Sequence, residues 1–251
     1  NTQHLETYKS FLYNRLQRKG SDSKDIHRLA ARDRHVFAAL MLAHGHGDGL
    51  VTGATRKSAH VLERLNHVFD ANAKHGAVGI TALLHKGRIV FIGDTLVHEW
   101  PNEEDLANIA EKGAKVARHM GLEPRVAFVS FSTFGYPVSE RAEKMQRAPD
   151  VLDARGVDFE YEGEMTVDVA LNAESQKNYP FSRLTGPANI LVVPARHSAS
   201  ISVKLMQEMA GATVIGPILT GLDKSIQICS TTSTANDILN MAILAACKVG
   251  E

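Results

Sequence analysis

Short apolar runs rich in β-branched residues recur along the middle of this chain, each separated from the next by a stretch with helical period. The runs lie at residues 78–84, 89–92, 126–129, 157–161 and 190–193. Their length and composition predict strands. Between them, residues 103–120, 140–155 and 199–209 repeat apolar side chains at helical spacing. Asn102 precedes three acids, as an N-cap precedes a first turn, and Gly121 follows the last periodic residue. Strands alternating with helices imply a largely parallel sheet covered on both faces. Helices are also expected over residues 25–44 and 59–69, late strands over 213–215 and 226–229, and a closing helix over 234–247. The polar stretch 1–24 carries one helical pattern, Leu5, Tyr8, Leu12 and Leu16, and reads as a linker helix or a partner-contacting arm.

Composition narrows the class. At 251 residues the chain can bury a substantial core in one large domain or two lobes. Lysine plus arginine and aspartate plus glutamate number 28 each, so net charge predicts neither a nucleic-acid nor a membrane partner, although a local basic patch is compatible with neutrality. No apolar run reaches the roughly 18–20 residues of a membrane span. Cys229 and Cys247 form no paired motif, which suits a reducing cytoplasm. A start at Asn1 in place of methionine leads us to expect a piece of a longer protein.

Several side-chain groupings invite chemistry. His44, His46 and Asp48 sit in a glycine-rich segment that reads as a turn before a strand; with no third distant ligand, no metal site is expected. Glu164 and Asp168 are spaced to meet on a helix face, but the residues around Gly163 suit a helix start that the acids merely stabilise. Ser130, Ser132 and Thr133 follow the run 126–129, at the strand edge where open α/β sheets bind ligands, and their hydroxyls and free amides can take a phosphate. The alternative is a turn whose hydroxyls cap the next helix. Arg183, Arg196, His197 and Lys204 supply cations near Pro194. Ser230 has no histidine nearby in sequence, and no nucleophile–base–orienter set emerges among the 12 histidines.

Seven phrases occur in an order that resembles the phosphate acetyltransferases: GLVTGATRKSAHVLERL (49–65), DTLVHEW (94–100), VSFSTFG (129–135), YEGEMTVDVAL (161–171), GPANILVVP (186–194), IGPILTGLDK (215–224) and QICSTTSTANDI (227–238). The resemblance implies an α/β fold of two lobes, three-layered αβα with mostly parallel sheets and isocitrate/isopropylmalate dehydrogenase-like. The first lobe would span 1–77 and 216–251, the second 78–215. Phosphotransacetylases move an acetyl group between CoA and phosphate with a serine–arginine pair in a phrase like LSRG. Here Ser230 and Asp237 are kept while the arginine is Thr231, and a phrase like VLRPAL has Glu63 where a second arginine belongs. Arg64, one helical step away, points about 100° aside. A phrase like PDLNAGN has become PARHSAS at 194–200.

The chain is more similar still to the phosphotransacetylase-like domain that ends certain bacterial NADP-dependent malic enzymes. It fits their phrases at Asp94, Thr95, residues 162–165 and 216–219, Lys224 and 240–245. That resemblance implies a non-catalytic regulatory domain that binds acetyl-CoA as effector and has no cofactor or metal of its own. NADP and a divalent metal would serve a malic-enzyme catalytic domain elsewhere in the same polypeptide. Resemblance to the transferases, together with an apolar closing helix whose Ile238, Met241, Ala242 and Ala245 form a stripe that packs inside the lobe or across a two-fold axis, implies a homodimer or higher homo-oligomer. The acetyl-CoA residues that the malic-enzyme resemblance implies are Ser130, Thr133, Arg183, Arg196, Gly216, Pro217, Lys224, Ser230, Thr231, Asp237 and Asn240, with none catalytic. An active phosphate acetyltransferase using Arg56, Arg64 or Arg196, and a purely structural oligomerisation module, are the alternatives.

Overall fold

The computed structural model of the chain describes residues 4–70 and 76–249, so the first three residues of the expected amino-terminal arm lie outside it. The chain divides into two compact units, Asn1–Ala77 with Gly221–Val249, and Val78–Thr220.

In the first unit, α1 (Leu5–Leu16) buries Tyr8, Leu12 and Leu16 and packs against α2 (Ser23–Arg32). It is therefore part of this unit's core and not an arm. The single helix expected over 25–44 is two, α2 and α3 (Arg34–Ala43), because Asp33 leaves helical geometry and its carboxylate accepts from the amides of His35 and Val36. Strand β1 (Leu50–Gly53) follows the histidine–glycine turn, then α4 (Ser58–Leu65). After the second unit the chain returns as β8 (Ile226–Cys229), parallel to β1, and α10 (Ala235–Ala246). Gly53 has φ +110°, and a Cβ there would lie 2.3 Å from the Cys229 carbonyl oxygen, so only glycine permits this close pairing. On α10, Met241 and Ala245 are buried, whereas Ile238 and Ala242 of the expected stripe face outward.

The second unit is a six-stranded sheet ordered β5-β4-β6-β3-β2-β7. Its strands are β2 (Val78–His85), β3 (Arg88–Gly93), β4 (Arg125–Val129), β5 (Glu160–Met165), β6 (Ile190–Val192) and β7 (Thr213–Thr220). Pairs β3–β6, β4–β6 and β4–β5 are parallel, while β2 runs against both β3 and β7. The sheet is thus mostly parallel with one reversed strand, since the two-residue turn Lys86–Gly87 between β2 and β3 permits only a hairpin. Helix α5 (Glu103–His119) lies on the face carrying Ile80, Gly93 and Ile190, and α6 (Glu140–Arg155) packs beside it. The opposite face, with Leu83, Ile92, Ala127, Val129, Leu191 and Val193, is covered by α7 (Val167–Leu171) and by α9 (Arg196–Ala210) through Ala199. The short α8 (Ala173–Gln176) follows α7.

Strand β5 starts three residues later than the apolar run 157–161 suggests and carries Glu162 and Glu164, which the hydrophobic pattern hides. Both are buried. Glu162 accepts from the Arg183 amide at 2.9 Å and Glu164 from the Gly135 amide at 3.1 Å. Glu164 is therefore a strand residue, and only Asp168 sits in a helical first turn. Among the described residues no helix is long and apolar enough to cross a membrane.

Candidate ligand site

The parallel strands of the second unit end together at Gly93, Val129, Met165 and Val192, and the loops beyond those ends are the candidate site. The loop after β3 is built around Asp94, only 2% exposed. Its carboxylate accepts from the amides of Gly79 at 2.9 Å, Leu96 at 2.7 Å, Val97 at 3.1 Å and His98 at 2.8 Å, and meets His98 Nδ1 at 2.8 Å. A Cβ at Gly79 would fall 2.5 Å from Leu96 Cβ, so glycine is what lets β2 approach the loop. The hydrogen bond to Asp94 raises the His98 pKa above its ordinary value, against the opposing pull of burial. The loop then enters α5 through a reciprocal cap between Asn102 and Asp105.

The loop after β4 is equally tied. The Ser130 amide donates to the Met165 carbonyl at 2.9 Å, and the Phe134 amide to the Glu164 carbonyl at 2.9 Å. Thr133 Oγ1 accepts from the Thr166 amide at 3.1 Å, so this hydroxyl serves the start of α7. Ser132 is wholly buried, and its hydroxyl has no hydrogen-bond partner among the described residues. A buried unpaired hydroxyl is costly unless something else satisfies it.

The expected cations behave differently from one another. Arg183 donates to Asp153 at 2.7 Å, lies 3.5 Å from Glu162 and stacks over Tyr161, so two carboxylates already match its charge. Arg196 opens α9, donates to the Leu96 carbonyl at 3.2 Å and lies 3.4 Å from Glu99. Lys144, which sequence reasoning missed, donates to the carbonyls of Pro101 at 3.1 Å and Pro194 at 3.0 Å. Burial lowers its pKa below the ordinary lysine value. Gly216 and Pro217 lie within β7, the edge strand, at an irregularity in its pairing with β2, where proline's missing N–H is tolerated.

The remaining expected residues belong to the first unit. Ser230 is exposed, with Oγ 3.0 Å from Thr232 Oγ1, and Thr231 is exposed beside it. Asp237 closes a reciprocal cap with Thr234, accepting from its amide at 2.8 Å and its hydroxyl at 2.9 Å. That cap accounts for the aspartate without a ligand. Asn240 is half-buried on α10 and Lys224 is exposed. Glu63 is exposed on α4 near His60, and Arg64 turns to Asp33 at 3.4 Å and His67 at 3.3 Å. His44 Nδ1 lies 2.8 Å from the Leu40 carbonyl oxygen and His46 Nδ1 2.6 Å from the Tyr8 hydroxyl, so local partners account for both histidines.

The sequence profile described as phosphate acetyl/butaryl transferase matches residues 1–246. The chain belongs to that family. It is 51% identical to an NADP-dependent malic enzyme of Rhizobium meliloti across 97% of its own length, but spans only 32% of that relative. It is 28% identical to the phosphate acetyltransferase of Bacillus subtilis over 92% of its length and 72% of the relative's. Among solved structures, a phosphotransacetylase from Streptococcus pyogenes superposes with a TM-score of 0.88 at 25% identity, covering 98% of this chain and 75% of that one.

Proposed function

We propose that this chain is a non-catalytic, acetyl-CoA-sensing regulatory domain of a multidomain NADP-dependent malic enzyme in the cytoplasm. The observation that carries the reading is the loss of anion-handling charge on a kept framework. Thr231 and Glu63 stand where phosphotransacetylases are expected to have arginines, and Arg64, the nearest substitute, is turned to Asp33 and His67. Similarity to malic enzymes over about a third of their length supports the larger context. NADP and a divalent metal would belong to that other part of the polypeptide. The isocitrate/isopropylmalate dehydrogenase-like relation of the fold is part of the same proposal.

Acetyl-CoA would use Ser130 and Thr133 of the loop after β4 together with Arg196. Regulation requires that it bind two states of the assembly unequally. The assembly we propose is at least a homodimer. In support, α9 leaves Ile201, Leu205 and Met209 between 58% and 79% exposed, beside an apolar cavity of about 330 Å³. Monomers seldom expose such a stripe without use.

The test is calorimetry with acetyl-CoA beside an acetyl phosphate-forming assay on the same sample. Binding heat is expected without measurable turnover, because each missing arginine costs about 100- to 1000-fold. Thr231→Arg alone is not expected to restore the reaction, since Glu63 still repels phosphate. Turnover within about tenfold of an ordinary phosphotransacetylase would reject the reading in favour of the active enzyme, and silence in both assays would favour the structural module.

A further inference from the structure

Trp100 is the chain's single tryptophan, and it is 69% exposed at the strand edge of the second unit. Two helices present groups to its ring. The loop after β3 carries it, and that loop is immobilised by the four amides that Asp94 accepts. The first turn of α9 brings the His197 ring to 4.9 Å at an angle of 57°. Helix α6 sends Lys144 to within 5.9 Å of the ring centroid, its ammonium anchored on the Pro101 and Pro194 carbonyls. Arg196 ties α9 to the same loop through the Leu96 carbonyl and through its own amide, which donates to the Glu99 carbonyl at 3.3 Å. Carboxylates are close to both cations: the charge of Glu103 acts on Lys144, and Glu99 lies 3.4 Å from Arg196.

A large ring left in water is unfavourable apolar exposure. Here it is held in place by polar scaffolding instead of being packed away, with the Lys144 ammonium beside its ring and the Arg196 guanidinium on the same loop. A rigid exposed indole offers a face to a planar base, and adjacent ammonium and guanidinium groups suit phosphates. We propose that Trp100 and His197 form a stacking platform for an adenine ring, with Lys144 and Arg196 meeting the phosphates of the same nucleotide. The choice of an acyl-CoA as the molecule that carries this adenosine 3′-phosphate rests on the sensing function proposed above. The platform itself requires only the adenine nucleotide.

The sole tryptophan makes the site its own reporter. Titration with adenosine 3′,5′-bisphosphate, CoA and pantetheine is followed by Trp100 emission and, in parallel, by calorimetry. Saturable quenching by the bisphosphate and CoA, and none by pantetheine, is expected. Trp100→Ala weakens CoA binding by about 10- to 100-fold, the range for a base stacked on an aromatic side chain. Trp100→Phe keeps affinity within a few-fold, and Lys144→Gln weakens the bisphosphate more than adenosine. If CoA binds Trp100→Ala with unchanged affinity, or binds the parent chain without altering Trp100 emission, the platform is wrong while acetyl-CoA sensing stands. If the bisphosphate quenches but acetyl-CoA gives no binding heat, the platform stands and the sensing function falls. Emission that shifts with protein concentration and ignores every nucleotide would mean a second copy covers the ring, and the proposal would be overturned.

Discussion

Replacing Asp94 with asparagine isolates the interaction that holds the ligand-edge loop. The carboxylate is buried and accepts four backbone amides plus the His98 ring, split between its two oxygens. Asparagine has nearly the same shape but one acceptor oxygen. In either orientation its NH₂ faces an amide that the parent satisfies at 2.9 Å or less. If the amide group replaces Oδ1, Gly79 and Leu96 lose their partner; if it replaces Oδ2, the His98 amide loses its acceptor and the ring nitrogen must accept where it donated. Each buried donor left unsatisfied costs about 1–3 kcal/mol, and the surviving bonds lose charge assistance worth roughly half their strength. The expected destabilisation is about 2–4 kcal/mol. For a protein of this size that corresponds to a fall in Tm of roughly 5–15 °C. Urea and thermal unfolding followed by far-UV circular dichroism measure the loss, and Trp100 emission shows whether the loop opens first. A variant within about 1 kcal/mol of the parent would refute the reasoning, because water would then be replacing the carboxylate at little cost.

His98 should couple this loop to pH. Its folded pKa is raised above 6.5, chiefly by the bond to Asp94, so its contribution is fully present below that value and fades as pH rises through the folded pKa. His98→Gln should flatten that part of the stability profile, and NMR should find the His98 titration shifted down in Asp94→Asn; an unmoved titration would remove Asp94 as the cause. In the first unit, Gly53→Ala puts a Cβ 2.3 Å from the Cys229 carbonyl oxygen at a φ of +110°. A loss of about 3 kcal/mol or more is expected from denaturant unfolding, and a loss under about 1 kcal/mol would mean that β1 and β8 separate without penalty.

Local pattern alone was enough for the alternation of strands and helices, for the start of α5 at Asn102 and for the α/β class. Each of these depends on residues within one or two turns of each other. The caps at Asp33 and Thr234 are equally local, and the break between α2 and α3 was written in the chain at Asp33, although the continuous apolar period masked it. The phrases around Asp94, Ser130, Glu164 and Ser230 carried the family. What the chain could not state locally were pairings across long separations. Glu162 and Glu164 look foreign to a strand until Arg183, 21 residues away, and Gly135, 29 residues away, supply their donors. Arg183 reads as a free cation until Asp153, 30 residues back, matches its charge. Trp100 meets Lys144 and His197 only because the loop after β3 and the helices α6 and α9 converge at one edge of the sheet. Local sequence encodes periodicity and caps through near neighbours, whereas the partner of a buried charge or an exposed ring is chosen by which distant segments the folded sheet brings together.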